Sequence, residues 1–407
     1  MKDEKKAPKL RFKGFTDDWE QCKLGDVCDV YDGIHHTPDY QDNGIMFLSV
    51  ENISTLTSDK FISRDFFEQN YKIFPEKGDI LLTRIGNVGT PNVVESTDKL
   101  AYYVSLALLK APKINSYFLC NLICTQEFKK ELHRKTLTTA IPQKINKDEI
   151  RKITFFDSTS SDERKKIGSL LEKINFTITL HEEKKRQLEC LKSALLQKMF
   201  ADENGYPAVR FRGFDEAWKQ CKLGDVGQTY TGLSGKSKED FGHGKARFVT
   251  YMNIYSNPVS DLNMVEPIEI DERQNEVQYG DAFFTTSSET PEEVGMASVW
   301  TGDEKHTYLN SFCFGYRPIS KINPYYLAYM LNSQSLRRKI VILAQGISRY
   351  NISKKSVMEI LASLPSAEEQ NRIGLIFKDL DQSITLYEHK LELLKRLKSS
   401  LLQNMFI

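Results

Sequence analysis

Two long stretches of the chain place an apolar residue every three or four positions. The first seam runs through Ile167, Leu171, Ile174, Ile178, His181, Lys185, Leu188, Lys192, Leu195 and Met199. The second runs through Ile373, Phe377, Leu380, Ile384, Tyr387, Leu391, Leu394, Lys398, Leu401 and Met405. Seven of ten positions are apolar in the first seam and nine of ten in the second, a heptad pattern sustained long enough to predict coiled coil. Each stretch opens on Ser-x-x-Glu, at Ser160/Glu163 and Ser366/Glu369. In a capping box of this kind the Ser oxygen and the Glu carboxylate satisfy free helix donors reciprocally. At 1.5 Å per residue each helix should reach roughly 55–60 Å.

Ahead of each helix the pattern changes to short apolar runs with turn residues between them. Residues 45–50, 80–83 and 102–109 are strand-length, and 247–251, 282–285 and 311–316 are their counterparts. Helices are predicted over 117–135 and 325–342. Each half of the chain therefore reads as a mixed α+β domain followed by one long helix.

The halves are copies. Residues 8–27 and 207–226 are identical at thirteen of twenty positions, and residues 195–200 (Leu-Leu-Gln-Lys-Met-Phe) return at 401–406 as Leu-Leu-Gln-Asn-Met-Phe. The expected organisation is a first α+β domain at 1–159, a first long helix at 160–200, a linker at 201–207, a second domain at 208–365 and a second long helix at 366–407. Because the second helix leaves its domain with nowhere to go but back, the two helices should run antiparallel as a spacer with a domain at each end. The predicted fold class is α+β, an internal pseudo-two-fold repeat shaped as a dumbbell.

Composition narrows the classes. The 407 residues carry a net charge of +1, so no global field advertises a nucleic-acid partner. Basic residues cluster locally instead, at Arg337, Arg338, Lys339, Arg349, Lys354 and Lys355 in one copy. In the other they are Lys129, Lys130, Arg134, Lys135, Lys144, Lys147, Arg151 and Lys152. Seven cysteines without a Cys-x-x-Cys pair point to a reduced, cytoplasmic compartment rather than a disulfide framework or a structural zinc. No apolar run is long enough to span a membrane, and the charged start lacks the apolar core of a secretory signal.

Catalytic signals are weak. Gly235-Lys236-Ser237 hints at a phosphate loop, but the required earlier glycine is Tyr230. Asn323-Pro-Tyr-Tyr326 is superficially similar to the Asn-Pro-Pro-Tyr of adenine methyltransferases. It lacks a proline, however, and the other copy reads Asn115-Ser-Tyr-Phe118. An Asn cap followed by a first-turn Pro explains both versions. The neighbouring His35 and His36 would point apart, with no acid or thiol placed to complete a metal site. No catalytic residue, metal site or cofactor is expected in this chain.

Between the copies the framework stays and certain polar loops are rewritten. They follow Tyr31 and Tyr230, follow residues 78–79 and 280–281, and occupy 140–145 and 346–351. Arg84, Asn87, Gln143 and Lys144 lie there in the first copy, and Lys236, Ser287, Ser288, Arg349 and Tyr350 in the second. These side chains can hydrogen-bond base edges and phosphates, so they are the candidate DNA contacts. Ile174, Ile178, Leu188, Leu195, Leu380, Ile384, Leu391, Leu394 and Leu401 are the candidate seam and partner contacts.

Together these motifs resemble the specificity subunit of type I restriction-modification enzymes. The resemblance rests on the Phe-x-Gly-Phe-x-x-x-Trp…Leu-Gly-Asp-Val openings and on Gly-Asp followed by a strand. It also rests on Glu368-Glu-Gln-Asn-Arg-Ile-Gly374 and the Leu-Leu-Gln-x-Met-Phe endings, and it covers both copies. The first helix departs from it, since Asp162-Glu-Arg-Lys-Lys-Ile-Gly168 lacks the Gln found at Gln370. The resemblance implies two target-recognition domains, each reading half of a split, asymmetric double-stranded DNA target. It implies two methyltransferase subunits and further endonuclease/translocase subunits as partners, using S-adenosylmethionine, ATP and Mg2+, and no membrane association. Two other readings stay open on the residues alone: a methyltransferase or nuclease acting by itself, and a dimerising scaffold that does not touch DNA.

Overall fold

Strands Asp29–Asp32, Leu106–Lys110, Ile80–Thr83 and Pro91–Val93 form an antiparallel four-stranded sheet in that spatial order. Beside it Phe61–Ile62, Ile45–Leu48 and Leu100–Tyr102 form a mixed three-stranded sheet, and Glu20–Lys23 pairs with Thr154–Asp157. The second copy repeats the plan with Gly227–Thr231, Cys313–Pro318, Ala282–Thr285 and Ala297–Val299. Its three-stranded sheet is Val265–Ile268, Phe241–Val249 and Thr307–Leu309, and its ribbon pairs Lys219–Lys222 with Leu361–Leu364. This computed structural model describes residues 6–407, and the charged segment at 1–5, with the start of the predicted first domain, lies outside the described residues. The chain divides into two compact units. One comprises the residues through Glu182 together with His389–Ile407, the other Glu183–Glu388.

Two expected elements are broken, a strand in the first copy and a helix in both, whereas the run at 311–316 falls on the single strand Cys313–Pro318. The run at 102–109 is two strands, Leu100–Tyr102 and Leu106–Lys110, separated by a turn closed by Leu106 N donating to Tyr103 O at 2.9 Å. The helix expected at 117–135 is two, Ser116–Ile123 and Gln126–Lys135, and the one at 325–342 is likewise Pro324–Leu331 and Gln334–Ile342. A hydroxyl residue makes each break. Thr125 Oγ1 accepts from Phe128 N at 3.3 Å and Ser333 Oγ from Leu336 N at 3.4 Å, capping the second helix of each pair. The preceding helices are capped by Asn115 and Asn323, which accept from Phe118 N at 2.9 Å and Tyr326 N at 3.0 Å.

The long helices span Ser161–Lys198 and Ala367–Asn404, 38 residues each. In the first unit, Ile174, Ile178 and Leu391 form an apolar cluster joined by Leu394 and Leu401, and Lys395 Nζ reaches Glu182 at 2.6 Å. The pairing there is antiparallel, since Met405 and Phe406 at the far end pack with Ile167 near the start of the first helix. In the second unit Leu195 packs on the core, Leu380 is buried, and Leu188 and Ile384 are half-buried. Polar seam positions there find acids: Lys185 pairs with Glu388 at 3.0 Å and Lys192 with Asp381 at 2.5 Å. Lys192 also lies over the Tyr329 ring.

The capping boxes are half of what the pattern predicts. Ser160 and Ser366 do accept from the N–H groups of Glu163 and Glu369, at 3.4 and 3.3 Å. The two carboxylates serve elsewhere. Glu163 accepts from Arg11 Nε and Nη2 at 2.7 and 2.8 Å and from Trp19 Nε1 at 3.1 Å. Glu369 accepts from Arg210 at 2.8 and 2.9 Å and from Trp218 at 3.1 Å. The shared Arg-Phe-x-Gly-Phe…Trp opening is thus a clamp on the first turn of each unit's own long helix.

Candidate nucleic-acid interface

The rewritten loops meet in space within each unit. In the first, strand Ile80–Thr83 turns through 84–90 into strand Pro91–Val93, with Gly86 at φ 81° supplying the left-handed turn residue. Gly86 N donates to Gln143 O at 2.8 Å, and Ile145 N donates to Arg84 O at 3.0 Å. Leu137 N then closes the second loop on Lys144 O at 2.8 Å. Asn87, Gln143 and Lys144 are exposed on this joined surface.

The second unit builds the same junction more regularly. Ser287–Ser288 pairs with Tyr350–Asn351 as a two-stranded ribbon, and Ile352 N donates to Thr286 O at 3.0 Å. Arg349 is exposed, and its Nη2 donates to Ser287 Oγ at 3.2 Å. Tyr350 is half-buried beside it. The structure therefore brings together Arg84, Asn87, Gln143 and Lys144 in one unit, and Ser287, Ser288, Arg349 and Tyr350 in the other.

Several of these side chains are not presented to solvent. Arg84 is 6% exposed, ion-paired with Asp32 and donating from Nε to Ile145 O at 3.1 Å, so it fastens the two loops together. Lys236 Nζ sits 2.9 Å from Asp271 Oδ2 with both side chains largely buried, which neutralises its charge inside the fold. Ser287 is buried, and the half-buried Ser288 donates to Glu293 Oε2 at 3.1 Å. The basic clusters thin out similarly. Arg337 donates to the carbonyls of Gly295, Glu292 and Val294, and its burial holds its pKa below the ordinary arginine value. Lys152 is taken by Glu149 at 2.6 Å, whereas Arg338 and Lys355 remain exposed.

Phe312 gave no signal in the sequence. Its carbonyl accepts from Thr286 N and Oγ1 at 3.2 and 2.7 Å, and its side chain is 63% exposed beside the ribbon. The matching place in the first unit is Ser105, whose carbonyl accepts from Arg84 N at 2.9 Å and which is buried. No periodicity marks a residue whose counterpart differs so completely. Among the described residues no group of three or more His, Cys, Asp or Glu is placed to hold a metal ion, and no helix is long and apolar enough to cross a membrane.

The family described as "Type I restriction modification DNA specificity domain" matches residues 16–190 and again residues 215–396. A putative type I restriction enzyme MjaX specificity subunit of Methanocaldococcus jannaschii is 23% identical over 220 residues, covering 52% of this chain and 50% of that protein. The type I restriction enzyme MjaVIII specificity subunit of the same organism is 24% identical over 192 residues, covering 44% of this chain and 45% of the relative. In both cases the match spans about half the relative's own length. Among solved structures, the S subunit of a type I restriction-modification system from M. genitalium aligns over 98% of this chain and 99% of that one. Its TM-score is 0.60 at 15% identity, a likeness of fold.

Proposed function

We propose, for a chain that belongs to the type I restriction-modification DNA specificity family, that it is the non-catalytic subunit choosing the DNA target for partner subunits. Each unit reads one half of a split, asymmetric duplex site. Two methyltransferase subunits methylate adenine with S-adenosylmethionine, and endonuclease/translocase subunits cleave with ATP and Mg2+. The observation that carries this reading is the loop junction. Both units join the same two loops by the same backbone bond, Ile145 to Arg84 and Ile352 to Thr286, yet present different polar side chains there. A rigid frame with exchanged Asn, Gln, Lys, Arg and Tyr side chains suits two modules with different base preferences.

Docking of the methyltransferase subunits on the long helices is supported by apolar side chains that point away from the seam. Leu180 and its repeat partner Leu386 are 56% and 51% exposed, and Leu191 and Leu397 are each 48% exposed. Exposed leucines recurring at matched positions in two copies favour an interface over chance.

Replacing residues 8–157 by the corresponding domain of a relative, followed by mapping of methylated sites, tests the reading. One half of the target should change and the other persist. Alteration of both halves, or failure of the assembled complex to bind any sequence in a random duplex pool, would overturn it.

A further inference from the structure

The loop that each unit bonds to its strand junction carries one isoleucine at its tip. Ile141 is 100% exposed and Ile347 is 97% exposed, the two most exposed large apolar side chains described in the molecule. Loop tips of this kind are normally polar, with Gly, Asn, Asp or Ser. Each isoleucine has hydrogen-bonding neighbours, Gln143 and Lys144 in one loop, Ser348, Arg349 and Tyr350 in the other. The surface that would cover such a tip has to be apolar at its centre and anionic at its rim. Stacked base pairs between phosphate backbones have that chemistry, whereas a protein partner would call for a continuous apolar patch.

We infer that Ile141 and Ile347 are apolar wedges, each pressed against a base-pair step of its own half-site and partly unstacking it. The inference rests on the DNA-reading function proposed above. What separates a wedge from a base-reading contact is the way the loops differ. Ile141 lies four residues before the junction residue Ile145 and Ile347 five before Ile352, and isoleucine is the one residue type that 140–144 and 346–351 share. A side chain that read the methyl group of a particular thymine would be rewritten along with the half-site it reads. A side chain that deforms the stack is indifferent to base identity and can serve two different half-sites. Insertion of Ile, Leu, Phe, Met or Pro at a base step is a known route to bent DNA, and it places specificity in the ease of unstacking rather than in hydrogen bonds. The tips sit two or more residues from the polar readers, so one loop can do both tasks.

The test uses the full chain assembled with its methyltransferase subunits, on duplexes carrying the target found by methylation mapping. 2-Aminopurine replaces adenine at successive steps, and its fluorescence reports unstacking. Wild type should brighten at one step in each half-site. Ile141→Ala should abolish the signal in one half only and Ile347→Ala in the other. Each should weaken binding about 10- to 100-fold, the range expected for losing one buried aliphatic side chain. Discrimination should stay unchanged at the bases read by hydrogen bonds and relax only at the wedged step, and Ile→Leu should restore the signal. Undiminished brightening in both Ala variants overturns the wedge while leaving target recognition standing. So does an equal loss on replacing one thymine by uracil, which would make the isoleucine a methyl reader. A wild-type complex that binds no duplex overturns the underlying function as well.

Discussion

Arg11 grips Glu163 through two parallel bonds, Nε and Nη2 onto the two carboxylate oxygens, and Arg210 grips Glu369 in the same way. The side chains of Arg11 and Glu163 are 12% and 0% exposed, so neither charge can turn to water if the other is lost. Breaking such a buried pair from one side costs about 3–5 kcal/mol. Glu163→Gln should therefore destabilise the first unit by that order and Glu369→Gln the second, each localised by hydrogen exchange. A loss spread evenly over both units would contradict the local role of the clamp.

The same pair sets a pH dependence. Burial acts to raise the Glu163 pKa, but hydrogen bonds from Arg11, Ser158 and Trp19 outweigh it and hold the carboxyl below its ordinary value. A carboxylate lowered in the folded state contributes stability above the unfolded value of about 4.3, and loses it as pH falls through the lowered one. The stability gap between wild type and Glu163→Gln should accordingly be full at neutral pH and shrink below about pH 4. Urea unfolding across that range measures it.

Gly168 and Gly374 stand inside the long helices, each the eighth residue from its start, where alanine would ordinarily stabilise by about 1 kcal/mol. Here a methyl group at Gly168 would collide with Asn115 Oδ1 and sit 3.0 Å from Phe118 N. At Gly374 it would lie 2.5 Å from Asn323 Oδ1 and 3.0 Å from Tyr326 N. Those atoms form the caps of the short helices, so the caps would be displaced. Gly168→Ala and Gly374→Ala should both lower thermal stability. A rise in Tm would show that the caps can yield.

The last residues of the chain belong to the first unit's core. Phe406 packs against Trp19 and Phe118 at ring distances of 6.1 and 5.3 Å, and Leu10 N donates to Asn404 O at 2.8 Å. Phe200 fills the matching place in the second unit, with Tyr326 and Phe377 at 5.8 and 5.7 Å. Phe406→Ala should cost about 3–5 kcal/mol, and the loss should fall on residues near the amino terminus. Limited proteolysis that cuts first between residues 208 and 365 would refute that assignment.

These relationships explain how much could be read in advance. The repeat, the heptad seams and the strand at Ile80–Thr83 were legible because each depends on local spacing or on direct comparison of the two copies. The breaks at Thr125 and Ser333 were not, since apolar periodicity runs straight across a single hydroxyl residue that turns from helix interior to cap. Glu163 matched a local capping rule, but a guanidinium 152 residues away competes better for its carboxylate. Arg84 lies on a rewritten loop but is turned inward, because its partner Asp32 lies on a distant strand. Direction of a side chain is set by long-range partners, and sequence spacing carries no record of them.

Arg84 and Arg349 should for that reason behave oppositely. Arg84 is buried on Asp32 and Ile145, so Arg84→Ala should destabilise the first unit and loosen both of its loops together. Arg349 is exposed and its bond to Ser287 is long, so Arg349→Ala should leave the melting temperature unchanged. Its loss should instead relax one base position in the second half-site by about 1–3 kcal/mol, the worth of a bidentate base contact. A phosphate contact would weaken every sequence alike, so binding to single-base variants separates the two roles. Unchanged affinity together with unchanged discrimination would remove Arg349 from the interface. The ribbon of Ser287–Ser288 and Tyr350–Asn351 would then present its readers through Tyr350 and its neighbours alone.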